Sequence, residues 1–220
     1  MDEKKLLHPF VTVDIALFAI DGDALKVLLV QRSEAPELRR WALPGGALQP
    51  AIDVDLQAAA LRVLREKVGL EIAHLEEVCS FSGRDRDPRD WSVSMLYFAL
   101  LPKDRLHPNA LNKVEAWEWV DPEDPGHRMA FDHKQQLAVA LGRLRQKIER
   151  HALPLHLMSR QFTLTELQRT CEAILGTRLD KSVFRRRLKG SDELVEVPGE
   201  FVRGSQRPAQ IYEARETVKF

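Results

Sequence analysis

The hydrophobic pattern changes period several times along the chain, and each change predicts an element. Phe10–Ile20 and Leu25–Gln31 are rich in β-branched and aliphatic residues and flank Asp21-Gly22-Asp23, which predicts a strand, a tight turn and a strand. A helix is expected from about Leu56 to Val68, with positions 62, 63, 66 and 67 sharing one face at three- and four-residue spacings, and Gly69 ends it. Glu71–Phe81 reads as strand again, and Ser92–Leu101 as an alternating, mostly apolar strand. Glu115-Ala116-Trp117-Glu118-Trp119 also alternates, so Glu115, Trp117 and Trp119 are expected on one face. A helix follows from Lys134 to about Arg150, with Asp132 as its N-cap.

Beyond Pro154 the pattern shifts. Thr163 with Glu166 three places on forms a capping-box start, and Leu164–Leu175 opens there with apolar residues at 164, 167, 171, 174 and 175 before Gly176. Asp180 caps a second helix, Lys181–Leu188, closed by Gly190. Helix, short turn, helix is the helix-turn-helix arrangement. Val183, Phe184 and Leu188 are expected to face the core, leaving Lys181, Arg185 and Lys189 in a stripe with Ser182 and Arg186 alongside. Such a basic face suits a DNA major groove, because arginine can address guanine edges and phosphates. Glu193–Val197, a Pro198-Gly199 turn, Phe201–Arg203, a Gly204–Pro208 tip and Ala209–Glu213 then read as a wing, with Arg203 and Arg207 placed for backbone phosphate. The chain therefore divides into residues 1–153 and a winged helix-turn-helix over 154–220.

Charge supports the division. Lys plus Arg and Asp plus Glu balance at 33 each, yet residues 151–220 hold 12 basic and 9 acidic side chains, leaving 21 and 24 to the first part. The halves carry opposite net charge, which suggests separate jobs. Two cysteines, Cys79 and Cys171, make neither a disulfide framework nor a zinc site. The N-terminus lacks a signal pattern, and the longest apolar stretch is too short to span a bilayer. The expectation is a cytoplasmic protein with no membrane partner.

The chemistry centres on Trp41–Leu70. Gly45-Gly46, Arg62, Glu66 and the closing Gly69-Leu70 resemble the Nudix box, G-x5-E-x7-R-E-U-x-E-E-x-G-U with U aliphatic. Val63 and Lys67 stand where two of its three clustered glutamates belong, no glutamate lies in the preceding loop, and Gly46 to Arg62 is two residues too long. Nudix hydrolases hold Mg²⁺ or Mn²⁺ on those acids, since hard cations need several anionic oxygens. The resemblance thus implies an α+β fold, an α/β/α Nudix-like sandwich, with no catalytic residues, metal site or cofactor retained.

Gly83-Arg84-Asp85-Arg86-Asp87-Pro88-Arg89-Asp90-Trp91 looks like the GRDPRG-type loop of ADP-ribose pyrophosphatase relatives, and Ala130-Phe131-Asp132-His133 resembles the LAFDH segment of their regulator relatives. Guanidinium forks beside an aromatic ring suit a pyrophosphate and a base. Arg32, Trp41, Arg84, Arg86, Arg89, Trp91 and Glu115 are the candidate ligand-binding residues, and His133 is expected to be structural. A Nudix-like domain before a winged helix resembles the Nudix-related transcriptional regulators of the NrtR family. That likeness implies a homodimeric repressor of NAD biosynthesis and salvage genes, binding double-stranded operator DNA and sensing ADP-ribose or an NAD-like nucleotide. Two alternatives stay open: an active pyrophosphatase using Asp53 or Asp55 with Glu66 and Glu115 as substitute acids, and a regulator sensing a sugar or other metabolite.

Overall fold

Strand β1 (Phe10–Asp21) is buried along both faces, so its even and odd side chains seed two separate apolar layers. In the computed structural model, which describes residues 8–72, 74–102, 114–150, 154–188, 192–202 and 208–215, β1 turns at Gly22 (φ 61°) into the antiparallel β2 (Ala24–Arg32). Strand β3 (Trp41–Ala42) pairs with β2, and β4 (Gly45–Ala47) lies antiparallel to Thr12–Asp14 of β1. Helix α1 (Leu56–Val68) begins at Asp55, whose carboxylate accepts from the Ala58 N–H at 2.7 Å, and ends at Gly69 in the left-handed region. Strands β5 (His74–Gly83) and β6 (Ser92–Leu101) are antiparallel to each other, and β6 runs parallel to β1. Strand β7 (Val114–Val120) returns to pair with β2.

The main path of the sheet is β3-β2-β1-β6-β5. On one face Val13, Ile15, Leu17 and Ala19 meet Ala60, Val63, Leu64 and Val68 of α1. On the other, Ala16, Phe18 and Ile20 pack with Leu137, Leu141, Leu144 and Ile148 of α2 (His133–Glu149). This is the α/β/α sandwich that the box resemblance implies.

The second layer continues into the C-terminal part without a break. Leu155 and Leu157 of a 3-10 turn carry it to Phe162 on β8 (Gln161–Thr163), then to Leu167, Cys171 and Ile174 of α3 (Leu164–Leu175) and Phe184 and Leu188 of α4 (Lys181–Leu188). The Thr163–Glu166 capping box forms in both directions, and Asp180 accepts from the Val183 N–H at 2.8 Å. Strands β9 (Leu194–Val202) and β10 (Ala209–Ala214) complete a small sheet in the order β8-β10-β9. Winged-helix architecture results.

Four local expectations are corrected. Pro198-Gly199 does not reverse the chain; it loops out inside β9, where the pairing jumps from Tyr212↔Glu196 to Gln210↔Phe201. The Gln210 amide bridges that bulge by donating to the Val197 carbonyl at 2.7 Å. Glu115 does not share a face with Trp117 and Trp119. Gln31 pairs Ala116 and Arg32 pairs Val114, so Glu115 is the extra residue of a β-bulge and is exposed, while both tryptophans pack toward α1. Asp132 precedes α2 but gives no side-chain cap, because its oxygens are taken elsewhere. Val183 is 54% exposed, since only positions 184 and 188 of this short helix meet α3 and its neighbours.

Candidate functional site

Helix α1 brings Arg62, Val63, Glu66 and Lys67 to the edge of a cleft beside β4. Arg62 closes on Asp53 through two hydrogen bonds of 2.8 Å, donates to the Ala47 carbonyl at 3.0 Å and reaches Glu66 at 3.2 Å. The Arg62 hydrogen bond holds the Asp53 pKa below its ordinary 3.8 against the opposing effect of burial. Asp55 is used as the α1 cap and Glu115 stands out on β7, so the substitute acids do not converge. Val63 is buried, and a Cβ on Gly46 would lie 2.9 Å from its methyl group. Lys67 donates through Nζ to the Gly45 carbonyl.

A Nudix-type divalent ion does not fit these residues. The Lys67 ammonium lines the cleft beside Gly45, and its repulsion of a cation is about 4 kcal/mol per unit charge pair at 4 Å near a surface. Among the described residues, no three Asp, Glu, His or Cys side chains gather as a metal site.

Behind β4 lies Asp14, a buried carboxylate. It accepts from Ser94 Oγ at 2.5 Å and Gln136 Nε2 at 3.1 Å, with an Arg86 nitrogen at 3.8 Å and His133 Nε2 at 3.5 Å. Its Oδ1 would sit 2.0 Å from a Cβ on Gly45, so only glycine allows this approach. His133 Nδ1 accepts from the Leu43 N–H at 3.0 Å, which leaves the proton on Nε2, toward Asp14. Burial lowers the His133 pKa, and the ring ties Leu43, just after β3, to the start of α2. Asp14 was not legible as a site residue because its partners are 80 and 122 positions away.

The arginine loop between β5 and β6 borders two adjoining clefts. The larger, about 1220 Å³, is lined by Arg84, Arg86, Trp91, Arg128, Phe131 and Asp132 among others. The second, about 500 Å³, runs along the box and includes Arg32, Lys67, Arg86, Arg89, Asp14 and Phe131. Arg84 and the 42%-exposed Trp91 face the larger cleft only. Arg86 borders both, but its side chain is 8% exposed and its fork is spent on Asp132, at 3.0 Å on each oxygen, and on Ser92 Oγ at 3.0 Å. Arg89 grips Asp87 and lies over the Phe10 ring at 4.4 Å. Arg32 donates to the Pro36 carbonyl at 2.8 and 3.0 Å and lies over Phe131 at 4.9 Å.

Two predicted residues stand apart. Trp41 stacks on His127 at 4.5 Å and lines neither cleft; nor does Glu115. Sequence reasoning missed Phe131, which borders both clefts with φ 49°, a costly conformation for a residue with a bulky side chain and one found at ligand clamps.

On α4, Lys181, Ser182, Val183, Arg185 and Arg186 are exposed together. Arg187 turns inward, with Nη1 3.5 Å from the Ile148 carbonyl at the end of α2. Lys189, Arg203 and Arg207 lie outside the described residues.

Comparison with known proteins agrees with this two-part geometry. The NUDIX domain family matches residues 8–140, and the NrtR DNA-binding winged helix domain matches residues 154–214. The chain is 43% identical over 205 residues to the ADPR responsive transcriptional repressor NtrR of Acinetobacter baylyi, spanning 93% of this chain and 81% of the relative. Shewanella oneidensis NrtR, crystallised with a 27mer DNA, superposes with a TM-score of 0.81 at 36% identity over 93% of both chains. The NUDIX domain of that same protein complexed with ADP ribose superposes at 0.60 and 36% identity, over 66% of this chain and 94% of the domain. A Nudix sandwich whose core runs on into a winged helix, matched over 93% of its length by the Acinetobacter repressor and by Shewanella NrtR, places the chain in the NrtR family.

Proposed function

We propose that this chain is a DNA-binding transcriptional repressor whose Nudix domain senses ADP-ribose or a related NAD-derived nucleotide without turning it over. The observation that carries the reading is the state of the box. The acids that would activate water are replaced or tied up in the Arg62 cluster, while the adjoining clefts keep cationic and aromatic walls. A ligand can be held there, with no carboxylate set to hydrolyse it.

Arg84, Trp91, Arg32 and Arg89 are the contacts proposed for the nucleotide, and Arg86 holds their loop in place. Lys181, Ser182, Val183, Arg185 and Arg186 form the groove-facing surface of α4; an exposed valine suits a thymine methyl. A homodimer places one such helix in each half of a palindromic operator, and genes of NAD biosynthesis and salvage are the proposed targets. Such a regulator acts in the cytoplasm.

Cleft and DNA surface share one helix. Arg86 grips Asp132 at the head of α2, and the far end of α2 receives Arg187 from α4 while Arg145 donates to the Ile174 carbonyl of α3 at 2.8 Å. A nucleotide that favours one placement of the loop thereby biases the placement of α4, provided that it binds the two states with different affinity.

The test is a gel shift on a palindromic promoter fragment upstream of NAD genes, with and without ADP-ribose and NAD. A retarded complex that responds to one nucleotide supports the reading. Binding of neither the DNA nor a nucleotide ends it, and a response to sugars alone favours the other-metabolite sensor.

A further inference from the structure

We propose that the Lys67 ammonium takes over the electrostatic part of the missing metal, so that the effector's diphosphate binds in the box cleft without a divalent cation. The inference rests on the effector reading above and specifies how that site recognises its ligand. Three observations carry it. Lys67 occupies a metal-ligand position of the box, and its Nζ is steadied on the Gly45 carbonyl at the wall of the 500 Å³ cleft. Of the acids at or beside the cleft, Glu66 and Asp53 are engaged on Arg62, Asp87 on Arg89 and Asp14 on Ser94 and Gln136, and Val63 packs against Gly46.

The third observation is Arg32. Its hydrogen bonds end on backbone carbonyls, not on a carboxylate, and its charge faces the same cleft. Burial, and then the neighbouring Arg89 guanidinium, lower its pKa against Asp87, Asp14 and Glu37, which raise it. Arg32 and Lys67 line this cleft with Arg89, which Asp87 already holds, so an anion entering there meets more than one cation. A diphosphate reaching from Lys67 toward Arg32 and Arg89 supplies that anion and leaves the rest of the nucleotide for the adjoining cleft with Trp91. A lysine that only tethers β4 to α1 would make no difference to ligand affinity.

The experiment is calorimetric titration of ADP-ribose into the full chain, in buffer with magnesium chloride and in buffer with EDTA. The wild-type Kd is expected to agree between buffers within about two-fold, because no ion enters the site. Lys67→Met is expected to weaken binding about ten-fold or more in both buffers, and Lys67→Arg to retain most of it. Tightening of wild-type binding by magnesium of about ten-fold overturns the proposal. So does a Lys67→Met protein that melts like the wild type and binds as tightly. If Lys67→Met unfolds, the wild-type comparison of buffers decides alone. Should the wild type bind neither ADP-ribose nor NAD in either buffer, the effector reading falls as well.

Discussion

Arg62 stands where the box has its arginine, but it now serves the loop before the helix. Its guanidinium spans Asp53, Glu66 and the Ala47 carbonyl, with its side chain 12% exposed. Asp53→Asn is expected to cost about 1–3 kcal/mol in urea unfolding, because a charged hydrogen bond is lost around a mostly buried cation. The sign with pH follows from the lowered Asp53 pKa: its contribution is present above the ordinary 3.8 and is lost as pH falls through the lower folded value. The mutant should show a shallower acid limb. At this scale the sequence was half legible. Val63 and Lys67 are singled out by their spacing in a motif, and both line the cleft. Destinations of long side chains are not so marked, since Arg86 finds Asp132 across 46 residues and Glu115 leaves its expected face because of a bulge set by the partner strand.

Helices α1 and α3 start and stop where local chemistry says they should, at Asp55 and Gly69 and at Thr163 and Gly176, and α4 starts at Asp180, while its expected closing Gly190 lies outside the described residues. Caps act within a turn of chain, so they can be read in one dimension. Helix α2 differs because Asp132 gives up its cap to hold Arg86. Asp132→Asn is expected to destabilise the fold by about 1–3 kcal/mol, since a mostly buried guanidinium loses charged hydrogen bonds while Asp14 remains 3.8 Å away, whereas Asp85→Asn on the exposed part of the loop should stay within about 0.5 kcal/mol. Paired urea melts measure both. On α4, the double change Arg185→Ala and Arg186→Ala should weaken operator binding and reduce the slope of log K against log salt by about 0.9 for each phosphate left without its arginine. ADP-ribose affinity, measured alongside, should not change. Equal loss of both activities contradicts this division of labour. The Pro198-Gly199 turn was the misread element here, because the sequence shows a turn dipeptide but not the Gln210 amide that absorbs it as a bulge.

At the scale of the molecule, a single apolar layer runs from the sheet through α2 to α4, and the junction carries a stacked histidine pair. His74 on β5 and His156 in the 3-10 turn lie 4.6 Å apart. Burial, then His156 and Lys147, push the His74 pKa down from 6.5 to about 4. Below 6.5 the unfolded chain therefore binds a proton that the folded chain refuses, and stability falls as pH drops toward 4. Thermal melts across that range should show the decline, and His74→Phe should reduce it, since burial lowers the His156 pKa as well. A wild type equally stable across the range contradicts this assignment. The two-part architecture was visible from periodicity and charge alone, but the continuity of the core was not, because it joins residues from both parts that no local pattern links. The most direct test of the whole scheme follows operator anisotropy and AMP release together while ADP-ribose is titrated into the protein–DNA mixture with magnesium present. The expected result is a saturable change in DNA binding with ADP-ribose recovered intact; stoichiometric cleavage to AMP, or DNA binding indifferent to the nucleotide, would contradict it.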